Sequence, residues 1–184
     1  MNKSIKLLVA SVIAVAALMP TKADAQKFGH INSQEIVALM PERDDAYTKL
    51  QAFGKELNET ISSMQTDYQT KLKEYNEKVS TWNESIKKTK EDELNSLMQR
   101  IRQFSEQAEQ DFNSRQETLL TPVMKKAQDA IDKVAKAQGL AYVFDLASGA
   151  IIYIDEANTV NLLPLVKAEL GIPASKTQPT QFNN

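Results

Sequence analysis

The sequence predicts an α+β, mostly α fold: a long antiparallel helical hairpin, a coiled-coil arm, projecting from a small β-containing body that self-associates. Three observations carry this reading. Residues 42–138 contain one glycine, Gly54, and one proline, Pro122, and are rich in Gln, Glu, Lys, Leu, Met and Ala, all good helix formers. Apolar residues in that stretch recur at alternating steps of three and four. Both flanks carry short β-branched and aromatic runs bounded by Gly, Pro, Asn or Ser.

The chain opens with a segment that does not belong to the fold. Lys3 and Lys6 precede an apolar run over 7–19, and Ala23-Asp24-Ala25 offers a small-x-small cleavage site. This order reads as a secretory signal peptide over 1–25, cleaved after Ala25, with an apolar run too short to span a bilayer. The expected location is the periplasm. There are no cysteines, so neither disulfides nor a cysteine-linked lipid anchor is expected. The 22 basic and 24 acidic residues become 19 and 23 once Lys3, Lys6, Lys22 and Asp24 are removed, a net charge of −4. A nucleic-acid partner is not expected from that balance, because phosphate binding needs a clustered positive face.

After the signal, Phe28-Gly29-His30-Ile31 reads as a strand, Ser33 as the cap of a brief helix to Leu39, and Pro41 as its stop. Glu42, Asp44 and Asp45 place acid at the start of the outgoing arm helix, where the helix dipole favours it. The outgoing stripe is Tyr47, Leu50, Leu57, Ile61, Met64, Tyr68, Leu72, Tyr75, Val79, Trp82 and Ile86, with Gly54 filling one slot. The returning stripe is Leu94, Leu97, Ile101, Phe104, Ala108, Phe112, Leu119 and Val123. Trp82 with Leu94, Val79 with Leu97, Tyr75 with Ile101, Leu72 with Phe104, Tyr68 with Ala108, Met64 with Phe112 and Leu57 with Leu119 share one mirror point, residue 88. One long helix has no reason to carry that symmetry, whereas two packed antiparallel helices do. The tip is therefore expected near 88, after an arm of about 66 Å. Thr121-Pro122 is expected to kink or interrupt the returning helix.

Gly139 should end the returning helix. Runs 140–146 and 150–154, separated by Ser148-Gly149, read as a β-hairpin, and Asn161 as the cap of a last helix to Leu170. The organisation expected is a β-containing oligomerisation body from 26–43 and 122–172, an arm over 44–121, and a flexible tail over 173–184. Three short strands are too little for an independent sheet, so Phe28, Ile31, Tyr142, Phe144, Ile152 and Ile154 are candidate oligomerisation residues.

With these residues on the page, the chain resembles the Skp/OmpH family of periplasmic chaperones. The resemblance rests on Phe28-Gly29-His30-Ile31-Asn32-Ser33-Gln34, Met40-Pro41-Glu42, Leu120-Thr121-Pro122-Val123 and Ala130-Ile131-Asp132-Lys133-Val134-Ala135-Lys136. It continues through Gly139-Leu140-Ala141-Tyr142-Val143-Phe144-Asp145 and Ile152-Tyr153-Ile154-Asp155. It implies a jellyfish-like homotrimer whose strands form a central body and whose three hairpins enclose a cavity. Unfolded outer-membrane β-barrel proteins would be held there without ATP. The chain departs from the family in its net negative charge and in Asn158-Thr159-Val160-Asn161, where an acidic and threonine start is common.

Candidate client-binding residues are Phe53 and Met98, which lie off the stripe, and Tyr75, Trp82, Phe104 and Phe112, whose large rings can reach past it. The competing reading is plain arm packing, which a stripe at helical spacing usually means. Lys87, Lys88 and Lys90 form a basic tip suited to an anionic membrane surface, where each lysine adds about 1 kcal/mol; the competing reading is a solvated turn. An enzyme is not expected: His30 is the single histidine and sits in a strand, and no Gly-rich phosphate loop is present. Neither a cofactor nor a metal is expected. The alternative function is an adaptor whose hairpin tip docks a dedicated envelope partner.

Overall fold

In the computed structural model the described residues are 26–177; the expected signal peptide and the end of the expected tail, 178–184, lie outside them. The chain enters on strand β1 (Lys27–Ile31), passes through helix α1 (Ser33–Leu39) and leaves the body on α2 (Pro41–Lys78). A 3₁₀ turn over Val79–Thr81 reverses it, and α3 (Glu84–Gln138) returns without a break. Strand β2 (Leu140–Asp145), a second 3₁₀ turn (Leu146–Ser148), a two-residue strand β3 (Val160–Asn161) and α4 (Leu163–Glu169) complete the body.

The sheet order is β2-β1-β3, and both pairings are parallel. The expected β-hairpin is therefore replaced. Leu140–Asp145 pairs with β1, from Phe28 opposite Tyr142 to Ile31 opposite Asp145, and residues 151–155 have no strand assignment. Parallel strands cannot be joined by a tight turn, so the whole arm serves as the crossover between β1 and β2. Gly29 makes the packing around the central strand possible. A Cβ there would fall 2.5 Å from Leu162 Cδ1 and 2.6 Å from Leu140 Cδ1, with the Val160 carbonyl at 3.2 Å.

One face of the body is its core. Ile31, Ile36, Leu39, Met40, Leu162, Val166 and Ile172 pack against the α3 stripe Val123, Ala127, Ala130, Ile131 and Val134. Ile36, Leu39, Met40, Leu162 and Val166 are fully enclosed, each contributing about 1.5–3 kcal/mol by burial. Ile31, expected at an oligomer interface, is thus committed to its own chain's core at 2% exposure. Strand alternation explains this: Phe28 and His30 share one face of β1, while Ile31 points to the other.

Local chemistry sets the helix starts and stops. Asn32, not Ser33, caps α1, its Oδ1 accepting from Glu35 N at 3.1 Å. Ser33 instead donates through its backbone N and its Oγ to the two carboxylate oxygens of Asp145, at 3.0 and 2.5 Å. Helix α3 runs through Pro122. Tertiary packing of Val123 and Ala127 just beyond it sustains the helix despite the missing N–H. Gly139 ends α3 in the left-handed region at φ 65°, as the sequence indicates.

The reversal lies near residue 83, not 88. Tyr75 Oη donates to Glu91 at 2.5 Å, and a Cβ at Gly54 would stand 3.1 Å from the Phe112 ring; both pairs centre on 83. Glu42 and Lys126, also paired, centre on 84. The stripes still face inward, with Leu50, Leu94, Leu97 and Ala108 buried. A repeat of three and four presents the same face after each step, so it leaves the offset between helices open. Capping chemistry fixes it: Asn83 Oδ1 accepts from Ile86 N at 2.9 Å and starts α3.

Two predictions follow from this packing. Gly54→Leu and Phe112→Ala should be non-additive by about 1–2 kcal/mol in urea unfolding, because the leucine needs space the ring occupies; additive effects would contradict the offset. At Asp145, burial opposes the charge, but bonds from the Ser33 side chain and from the Ser33 and Ala147 backbone outweigh it and hold the carboxyl below its ordinary 3.8. A lowered folded value means the stabilisation is present above that pH and disappears as pH falls through the folded value. Asp145→Asn should cost about 1 kcal/mol near neutral pH and flatten the acid limb of the stability profile; an unchanged limb would rule this out.

Candidate functional site

Large exposed apolar side chains gather on β2 and on the segment that follows it: Tyr142, Phe144, Ile152 and Tyr153. On the solvent face of the sheet, the Phe28 ring lies 6.1 Å from both Tyr142 and Phe144, stacked on the first and tilted to the second. Tyr142 is 61% exposed and Phe144 37%. Beyond the second 3₁₀ turn, Ile152 is 99% exposed and Tyr153 81%, with Ile154 half-buried. Tyr153 was not singled out by alternation, which selects Ile152 and Ile154; the segment's lack of a partner in its own sheet exposes both sides. A solvated β-branched and aromatic segment of this kind offers unpaired backbone groups to another chain.

The arm presents a second surface. Phe53, Met98, Phe104 and Phe112 are each half-buried, neither sealed in the seam nor free in solvent. Two helices alone cover only one side of each ring, so the outer edges remain accessible. At the tip, Tyr75 and Trp82 meet edge-to-face, with centroids 5.9 Å apart at 63°. The hydrogen bond to Glu91, followed by desolvation and the Glu91 charge, raises the Tyr75 pKa above 10. Ile86 next to them is 41% exposed.

The lysines expected to make a basic tip lie just past the reversal, in the first turns of α3. Lys87 pairs with Glu84 at 2.8 Å and Lys90 with Glu93 at 2.9 Å, while Lys88 is exposed. The hydrogen bond and charge of Glu93 hold the Lys90 pKa up. Helical spacing places a carboxylate within reach of two of the three ammonium groups, so the tip is close to charge-balanced rather than strongly basic.

The other polar features serve the fold. His30 is buried, its Nδ1 3.1 Å from Thr159 Oγ1. Among the described residues no three His, Cys, Asp or Glu side chains converge as metal ligands do. Between β2 and α3 lies an open groove of about 460 Å³, walled by Ile131, Ala135 and Leu140 with Asp132 and Lys136 at its rim. Among the described residues no helix is long and apolar enough to cross a membrane. Met124, at 61% exposure on α3, is a further solvated apolar side chain that the spacing argument missed because it falls outside the stripe.

Comparison with known proteins places this architecture. The chaperone protein Skp of Yersinia enterocolitica is 28% identical over 167 residues, covering 88% of this chain and 99% of the relative. Skp of Photorhabdus laumondii is 26% identical over 163 residues, again 88% and 99%. Among solved structures, an OmpH-like protein of Caulobacter crescentus superposes with a TM-score of 0.69 at 14% identity, over 89% of this chain and 97% of that one. The family model described as outer membrane protein (OmpH-like) matches residues 27–170. That match runs from the start of β1, through the whole arm, to the end of α4, and the chain belongs to the OmpH-like family.

Proposed function

We propose that this protein is an ATP-independent holdase chaperone of the periplasm. It keeps unfolded outer-membrane β-barrel proteins from aggregating within a cavity between the arms of a homotrimer. The observation that carries this reading is the arm itself: a two-helix projection whose aromatic and methionine side chains stay half-covered along its length. A holdase needs many weak, adaptable apolar contacts rather than one deep pocket. Phe53, Tyr75, Trp82, Met98, Phe104 and Phe112 supply that chemistry. The Skp relatives, chaperones by name and matched over nearly their full length, support it.

Assembly is assigned to the body. Phe28, Tyr142, Phe144, Ile152 and Ile154 form the joining surface, with Ile31 withdrawn to the core and Tyr153 added. A single arm cannot surround a client, and three arms on a common body can. The charge-balanced tip favours apolar holding over electrostatic capture of an anionic surface, since exposed ion pairs leave little net field.

Dilution of a urea-unfolded outer-membrane barrel protein into the exported chain, without ATP, tests the reading by light scattering. Suppression should saturate near one oligomer per client. Ile152→Asp together with Tyr153→Asp should lower the oligomer mass in analytical ultracentrifugation and abolish suppression. No suppression at several-fold excess would overturn the proposal in favour of the adaptor reading, in which Lys87, Lys88 and Lys90 to Glu would dissolve one stoichiometric complex.

A further inference from the structure

The family match ends at residue 170, yet the next residues are built into the fold. Gly171, at φ 69°, turns the chain off the end of α4, and Ile172 N donates to Lys167 O at 2.8 Å. The Ile172 side chain enters the body core at 4% exposure. Lys167, 7% exposed, is the buried cation of the described body. Its Nζ donates to the carbonyls of Ala174 at 2.9 Å and Lys176 at 2.7 Å. A buried ammonium must have its donors satisfied, and here the acceptors are backbone groups of this short extension. Lys176 N closes a turn onto Pro173 O at 3.0 Å. Its side chain then reaches Asp44 Oδ2 at 3.3 Å, with both partners half-buried. Residues 173–176 of the expected loose tail (173–184) are therefore held against the body and the arm root.

Asp44 lies in the first turn of α2, where the arm leaves the body. On the returning helix, Pro122 lines the same level of the arm, in a small cleft shared with Glu42, Ala46 and Leu119. Proline removes one bond from the α3 ladder there. The arm thus has a weak point on one helix and a root on the other, and the extension ties that root to α4. Leverage makes the tie consequential: α2 spans 38 residues, about 57 Å, so a 10° tilt at the root moves the tip by about 10 Å.

We infer that residues 171–177 are a strap that sets the arm's angle, with Lys167 as its anchor in the body and Lys176 as its hook on the arm root. The strap acts on the arm's position whatever the arm holds. Since the chain has no cysteine, spin labels can be placed at Ser80 in the tip turn and Glu156 on the body. Labelled chains diluted with unlabelled ones then give a distance distribution within one chain. Lys176→Ala should broaden that distribution by about twofold, Lys167→Met at least as much, and a chain ending at Leu170 the most. Helix content by circular dichroism should stay unchanged in Lys176→Ala. Should the shortened chain fail to fold because Ile172 is lost, Lys176→Ala decides alone. An unchanged width in a folded Lys176→Ala chain would overturn the strap.

Discussion

The parallel pairing of β1 with β2 is the constraint on which the rest of the structure depends. Two strands lying side by side and running the same way cannot be joined by a tight turn. The residues between Ile31 and Leu140 must leave the sheet at the far end of β1 and return to the opposite end, where Leu140 lies beside Lys27. The long hairpin is this chain's way of doing so, and both of its ends are therefore anchored in one small body. Around the pair, Gly29 lets Leu140 and Leu162 close over the central strand. Asp145, at the end of β2, holds the first turn of α1 through Ser33, and β3 completes the other edge of β1.

The arm is stabilised differently from the body. Its outer faces carry helix-spaced ion pairs such as Lys78–Glu74 at 2.9 Å and Lys55–Glu59 at 3.7 Å, each worth a few tenths of a kcal/mol at most. Thr60, Thr66 and Thr70 turn their hydroxyls back to the carbonyl four residues earlier. These bonds are local to single helices and do not seal the pair. The seam between the helices is one stripe wide, so its aromatic side chains are covered on one side only. In the proposed function the same residues join the two helices and meet the client. Packing and binding are then not competing readings of Tyr75, Trp82, Phe104 and Phe112 but two sides of the same rings.

How much of this was legible in the sequence follows the range of each interaction. The helices, the Gly139 stop and the inward stripe are set by residues a few positions apart, and were readable. The offset of the hairpin was not readable from the stripe, which repeats, although Asn83 followed by Glu84 carried the cap signal that decides it. Strand partners were the larger miss. Residues 150–154 have the composition of a strand next to 140–146, and nothing local says that β2 prefers a partner more than 100 residues upstream. Nothing in the sequence marks Lys167 or Lys176, because their acceptors are backbone carbonyls of a short extension and an aspartate far along the chain. Of the candidate site, the aromatic residues were legible by type, and Ile31 was misplaced because its face of β1 depends on where α3 packs.

Native mass spectrometry of residues 26–184, mixed with an unfolded outer-membrane barrel protein, reads composition directly and tests the central claim. The predicted species is three copies of this chain with one client, accompanied by client-free trimer and no larger client-bearing assembly. Single chains coating a client in variable number, or a trimer that never acquires a client, would contradict it.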